Sequence, residues 1–179
     1  MSWGWPSAPG GIAPTTVIDT QSMYGCLSVA DAAGNASATW PASNRILYQP
    51  FRLPTPITIA QLYCYNGTAV SGNVDIGIYM LDGSKIITTS SVAQAGTSAL
   101  QLFDITDTLI GPGTFYMGIT LDNTTGTLFR VALTVLASAQ VMGVLEENPG
   151  GFGLPSTATF GSISASYIPL IGMTPRTVL

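Results

Sequence analysis

The side chains that most often carry acid–base chemistry are scarce in this chain of 179 residues, which has no histidine. Without histidine, neither a Ser-His-Asp nor a Cys-His nucleophile arrangement can form, and histidine-based zinc sites are excluded. Two carboxylate pairs are the remaining acid–base candidates, since a glycosidase needs two carboxylates across a cleft: Asp104 with Asp107, and Glu146 with Glu147. The end of a strand explains the first pair more simply, and the start of a solvated loop explains the second. We therefore predict that the protein is not an enzyme.

Metal and cofactor chemistry has little support in the sequence. Residues 122–125 offer the oxygen ligands that calcium takes from loops, but a hairpin turn explains them as well. Cys26 and Cys64 are too few for a structural zinc site. They could form one disulfide, although two free buried thiols are the favoured interpretation. The glycine-rich loop 150–153 lacks the following Lys-Ser/Thr of a phosphate loop. We predict neither a metal nor a cofactor.

The charge content is the most unusual property of the chain. Five basic and nine acidic residues make up 8% of the sequence, whereas 46% of it is hydrophobic. An ordinary soluble domain has about 25% charged residues. The net charge of −4 and the scattered basic residues argue against nucleic acid as a partner. No apolar run reaches the ~20 residues of a membrane helix. We therefore expect other subunits to cover much of the surface, most simply in a homo-oligomer, with a trimer favoured.

The pattern from Asn44 onward is typical of an all-β domain. Short β-branched and aromatic segments alternate with turn residues, among them the hairpin signal Asp82-Gly83. Strands are predicted at 45–53, 57–65, 74–81, 85–89, 99–105, 114–121, 128–136, 140–145, 157–160 and 167–173. Each strand must bury one apolar face, so we predict an antiparallel two-sheet β-sandwich, jelly-roll-like, over residues 44–179.

Alternation within the strands predicts which residues point inward. In 74–81, positions 74, 76, 78 and 80 are apolar and predicted to face the core, which places Tyr79 on the outside. In 128–136, positions 129, 131, 133 and 135 are predicted to face inward. Four aromatic residues are candidates for contact with a sugar or a protein partner: Trp40, Tyr63, Tyr65 and Tyr79.

Residues 1–43 are predicted to form an extended N-terminal arm and a lead-in segment. Three prolines in the first 15 residues oppose helix formation. Residues 1–6 also have no basic region or apolar run, so they do not read as a signal peptide. Trp3 and Trp5, followed by Pro6, are large apolar anchors of the kind that bind a partner. They could equally fold back onto their own domain.

Two segments together resemble the sandwich domains of tailed-bacteriophage virion proteins. They are NRILYQPFRLPTPITIAQLYCYNGTAVSGNVDIGIYMLDGSK, residues 44–85, and LIGPGTFYMGITL, residues 109–121, with YIPLIGM as a closing strand. Head decoration proteins, head fibres and tail or baseplate fibres share this pattern. The resemblance implies a non-enzymatic structural protein of the virion, assembled in the host cytoplasm. It transfers no site residues.

Three functions are compatible with these features. The first is a capsid decoration or cement subunit, which would bind itself and the major capsid protein and stabilise the shell. The second is a receptor- or carbohydrate-binding module of a phage fibre or baseplate. The third is a secreted lectin-like or adhesin domain. The low charge, the apolar arm and the absence of catalytic residues favour the first.

Overall fold

The computed structural model describes residues 35–131 and 135–176 of the chain. In those ranges the chain is mostly β, with antiparallel sheets and one short helix. The strands are β1 Asn35–Thr39, β2 Ile46–Leu53, β3 Ile57–Tyr65, β4 Asn73–Met80, β5 Lys85–Thr88, β6 Val92–Ala93, β7 Leu100–Ile110, β8 Gly113–Leu121, β9 Thr127–Val131, β10 Leu145–Glu147, β11 Gly161–Ser162, β12 Ile168–Pro169 and β13 Ile171–Pro175. The helix α1 spans Leu136–Val141.

The strands form three sheets within the described ranges. Sheet A has the order β1-β9-β12, and sheet C has the order β13-β3-β7. Sheet B has the order β11-β10-β2-β8-β4-β5, with β6 also paired to β4. Consecutive strands β2, β3 and β4 alternate between sheets B and C, as do β7 and β8. Because of this alternation, strands that are far apart in the sequence, such as β2 and β8, are neighbours in one sheet.

One hydrophobic core joins the three sheets. Its buried members come from every sheet, for example Ile119 in sheet B, Leu62 in sheet C and Leu128 in sheet A. On β8 the side chains at positions 115, 117, 119 and 121 all enter this core, as the alternation predicts. On β9 the buried residues are Thr127 and Leu128, whereas Phe129 is only partly buried. The inward assignment was therefore wrong at position 129 and at Val135, which is 53% exposed, but Val131 packs against the core as predicted.

Strand β4 is buried on both faces, which the alternation alone did not predict. Val74, Ile76 and Ile78 face the common core, but Tyr79 on the opposite face is also fully buried, and Met80 is exposed. Residues 147–160 cover that outer face of sheet B. The Tyr79 hydroxyl donates to the carbonyl oxygen of Pro155 at 2.7 Å.

A second, smaller cluster fills the space under this covering segment. The rings of Tyr48 and Tyr79 meet edge to face at 5.3 Å, and Phe160 meets Tyr48 at 5.0 Å. Gly77 and Gly118 stand directly opposite each other in this region of sheet B. A methyl group on Gly118 would lie 2.9 Å from the Tyr48 ring, so the missing side chain makes room for the aromatic rings.

The C-terminal third differs most from the sequence prediction. Strands were predicted at 128–136 and 140–145, but β9 ends at Val131 and α1 occupies Leu136–Val141. Leu, Ala and Gln in this segment favour helix, and Gly143, with φ of 72°, follows the helix end in the left-handed conformation. The predicted strand 157–160 is irregular, with one bridge from Thr157 to Ser84.

The sheets begin earlier than Asn44. Strand β1 pairs with β9 from Asn35 onward, and Trp40 is buried in the common core. The Trp40 indole N–H donates to the carbonyl oxygen of Arg45 at 3.0 Å, and its ring meets Tyr167 edge to face. Part of the predicted lead-in segment is therefore built into the sheets.

A candidate binding face on sheet C

The predicted aromatic contacts separate into buried and accessible residues. Trp40 and Tyr79 are at most 1% exposed, so neither offers a surface to a ligand. Tyr63 and Tyr65 are half-buried on β3. The predicted arm anchors, Trp3, Trp5 and Pro6, lie outside the described residues.

Tyr63 and Tyr65 share the outer face of sheet C with two leucines. In the register of β3 with β7, Tyr63 is opposite Leu102 and Tyr65 is opposite Leu100. Directly opposed residues in an antiparallel pair point to the same side of the sheet. Leu100 and Leu102 are 45% and 48% exposed. Together the four side chains make a mixed aromatic and aliphatic surface.

Phe129 extends this surface from sheet A. Its ring meets that of Tyr65 edge to face at 4.9 Å. The Tyr65 hydroxyl donates to the carbonyl oxygen of Ser98 at 3.3 Å, which restrains the ring. The residues Tyr63, Tyr65, Leu100, Leu102 and Phe129 are called the sheet C face below.

A polar row borders the sheet C face. The Gln61 amide nitrogen donates to the Asp104 carboxylate at 2.6 Å, and the Thr174 hydroxyl donates to the Gln61 amide oxygen at 3.2 Å. These residues occupy the next outward position along β3, β7 and β13. On the other side of Tyr63, β13 places Gly172 opposite it.

The first carboxylate pair does not form an acid–base site. Asp104 accepts the hydrogen bond from Gln61, whereas Asp107 makes an ion pair with Arg176. The two carboxylates thus have separate partners along the strand, and neither faces the other across a cleft.

The second pair, Glu146 and Glu147, points to opposite sides of β10. Glu146 is buried, 3.5 Å from the Arg45 guanidinium, and accepts from the backbone N–H and hydroxyl of Ser164. Glu147 accepts from the Tyr48 hydroxyl at 2.7 Å and from the Thr159 N–H at 2.9 Å. Both carboxylates hold the end of the chain against sheet B.

The loop at 122–125 is built as a turn. The Asn123 side-chain oxygen accepts from the N–H groups of Thr125 and Gly126. Partial burial alone would raise the pKa of the Asp122 carboxyl, but hydrogen bonds from Asn123 and Asn73 outweigh it and hold this pKa below its usual range. Among the described residues, no three His, Cys, Asp or Glu side chains are grouped to hold a metal ion.

Cys64 lies on the inner face of β3, fully buried. Its thiol donates to the Asn66 side-chain oxygen at 3.6 Å, and burial raises the pKa of the thiol to about 12. This environment suits a free thiol, which is one of the two alternatives that the sequence leaves open. Cys26 lies outside the described residues.

Leu100 and Leu102 were not predicted as contact residues. Their alternate spacing in the predicted strand 99–105 was a usable signal that they share a face. Which face they share depends on the pairing of β7 with β3, about 40 residues away, and a single sequence does not specify that register.

Comparison of the chain with protein-family models, curated proteins and solved structures finds no match. Within the described ranges, no helix is long and apolar enough to cross a membrane. The sheet C face is therefore interpreted from its own chemistry.

Proposed function

We propose that this protein is a non-enzymatic structural protein of a bacteriophage virion, a capsid decoration subunit that binds the shell and stabilises it. The observation that carries the proposal is the sheet C face, where two half-buried tyrosines and two exposed leucines lie side by side. Aromatic side chains are enriched at protein–protein interfaces, and charged residues are depleted in their centres. The engagement of all four candidate carboxylates in structural contacts supports a non-enzymatic role.

A jelly-roll-like sandwich is the finer fold that we infer. Sheet B contains β2-β8-β4, and sheet C contains β3-β7. The segment from β2 to β4 and the segment from β7 to β8 therefore run side by side as they cross from one sheet to the other. Such wrapping of paired strands across two sheets is what a jelly roll requires. In a complete jelly roll the chain would cross to the other sheet again after β4. Here β4 instead continues into a hairpin with β5 in the same sheet.

The partners in this proposal are a second copy of the chain and the major capsid protein, with a trimer as the favoured assembly and the virion as the location. The support is the low charge of the chain together with its exposed apolar side chains. Leu81 and Leu109, for example, are 59% and 69% exposed. Apolar surface of this kind usually marks a site of association.

Carbohydrate binding is the second candidate function, and one observation favours it. The hydrogen-bonded Gln61 and Asp104 lie one outward position from Tyr63 on the same face. Sugar sites combine an accessible aromatic ring with nearby polar groups. A fibre or baseplate module would use the same face for a glycan.

Co-sedimentation with empty shells tests the first candidate. The full chain should pellet with shells assembled from the major capsid protein of the same virus. The substitution Leu102→Asp places a charge in the middle of the sheet C face, and loss of a central interface contact typically weakens binding by about 2 kcal/mol, roughly 30-fold. Val141→Asp, an apolar-to-acid change at an exposed position of α1 outside the sheet C face, should bind as the unchanged protein does.

Two results would overturn this function. Failure of the unchanged protein to bind any shell would remove the decoration role. Binding to a glycan array, lost in Tyr63→Ala and absent from shells, would establish the second candidate in its place.

A further inference from the structure

A second apolar surface lies at the other end of β7 from the sheet C leucines. It is a groove of about 580 Å³, formed where the β4–β5 hairpin meets the β7–β8 turn. Ligand sites typically have volumes of about 300–1,000 Å³. The groove therefore has the size of a binding site, in a place that the proposed function does not use.

Most of the side chains that line the groove are apolar. Ile110 and Phe115 are buried at its base, whereas Met80, Leu81 and Leu109 are 47%, 59% and 69% exposed along it. Asp82 is the only charged residue among those that line it. Its carboxylate accepts from the Ser84 N–H and hydroxyl, which lower its pKa and keep it occupied. The exposed side chains of Met80, Leu81 and Leu109 therefore favour an apolar occupant.

Strand β7 gives the groove a backbone edge as well as side chains. It is the last strand of sheet C among the described residues, and its Leu109 and Ile110 line the groove. A terminal strand can pair with a further extended segment, whose alternate side chains then enter the same pocket. The best occupant is an extended peptide with large apolar residues two positions apart.

The chain itself contains such a segment outside the described residues. In Trp3-Gly4-Trp5-Pro6 the two tryptophans are two positions apart, so they share one side of the segment when it is extended. The first 18 residues include no Asp, Glu, Lys or Arg. About 30 residues separate Trp5 from β1, and a chain of that length can extend to roughly 100 Å. It can therefore reach the groove of a neighbouring copy.

We propose that Trp3 and Trp5 of one copy bind in the groove of a neighbouring copy and link the subunits. The inference rests on the proposed function, since it supplies the contact that holds the homo-oligomer together. The two rings would cover the exposed parts of Leu81 and Leu109. Docking of each arm on a neighbour also gives a head-to-tail interface, which closes into a ring when the rotation permits.

Tryptophan quenching in the full chain tests this docking. The protein has three tryptophans, and Trp40 is buried. With the arm docked, acrylamide should quench little of the fluorescence. Leu109→Asp should make two of the three tryptophans accessible, and light scattering should show that the oligomer has dissociated. Val141→Asp should change neither property.

The variants also separate this inference from the proposed function. Leu100→Asp should weaken shell binding but leave both the quenching and the oligomer unchanged, because Leu100 lies outside the groove. Two results overturn the inference: quenching that is the same in Leu109→Asp as in Val141→Asp, or a protected arm in a protein that remains monomeric. The latter would show that the arm folds back on its own domain.

Discussion

Replacement of Asn66 by alanine should be among the most destabilising single changes in the described domain. Asn66 is fully buried directly after β3, and its side chain makes four hydrogen bonds. Its amide nitrogen donates to the Ala95 carbonyl at 2.5 Å and to the Gln101 side chain at 2.8 Å. Its amide oxygen accepts from Gln94 at 3.0 Å and from the Cys64 thiol at 3.6 Å. The network ties three separate segments together.

The size of the effect follows from the partners that lose their only contact. After Asn66→Ala, Gln94 still donates to the Thr127 carbonyl, and Gln101 still accepts from the Ala95 N–H. The buried Cys64 thiol loses its acceptor and a small cavity opens beside it, whereas the carbonyl of the exposed Ala95 can turn to water. An unsatisfied buried group costs about 1–3 kcal/mol. With the cavity, we expect a loss of about 2–4 kcal/mol, or roughly 5–15 °C in melting temperature.

Urea unfolding followed by circular dichroism measures this loss. Asn148→Ala is the matched control, because Asn148 is exposed and a surface change of this kind usually alters stability by under about 0.5 kcal/mol. Equal stability of the two variants would refute the reasoning, since it would show that the network does not contribute to the fold.

Two further predictions concern the buried groups. Burial raises the pKa of the Cys64 thiol and of three tyrosine hydroxyls, those of Tyr48, Tyr79 and Tyr167. The unfolded chain loses these protons first, so the free energy of unfolding should fall as pH rises above about 8.5, and more steeply above about 10, by up to about 1.4 kcal/mol per pH unit and group. A free energy of unfolding that stays constant above about pH 8.5 in denaturant titrations would contradict this prediction. Gly118→Ala forces a methyl group against the Tyr48 ring and should cost about 1–3 kcal/mol in thermal unfolding, whereas Gly151→Ala, with no atom nearby, should cost almost nothing.

The strands from β2 to β5 and β8 could be predicted from the sequence to within about one residue. Their β-branched runs are bounded by Pro, Gly and Asn, and these local signals determine where a strand can begin and end. The helix α1 was missed because Leu136–Val141 lies in a long apolar stretch that reads equally well as strand. Gly143 was the available local signal that a helix ends there.

The candidate site depended on information that local patterns do not contain. Alternation correctly placed Tyr79 on the side of β4 opposite the core, but not the covering segment 147–160, which buries it. Tyr63 and Tyr65 have the same alternating pattern but stay only half-buried in the part of the chain that the structure describes. Whether an outward aromatic residue on these strands is half-buried or fully buried therefore depends on contacts between residues far apart in the sequence, more than 70 positions for Tyr79 and Pro155.

The late position of the covering segment has a consequence for synthesis. Phe160 follows the end of β8, the central strand of sheet B, by about 40 residues, so at 5–20 residues per second the ribosome needs roughly 2–8 seconds to supply it. During that interval the aromatic side of sheet B has no cover, and exposed apolar surface of this kind invites aggregation. The nascent chain is therefore most in need of a chaperone between the emergence of β8 and that of residue 160.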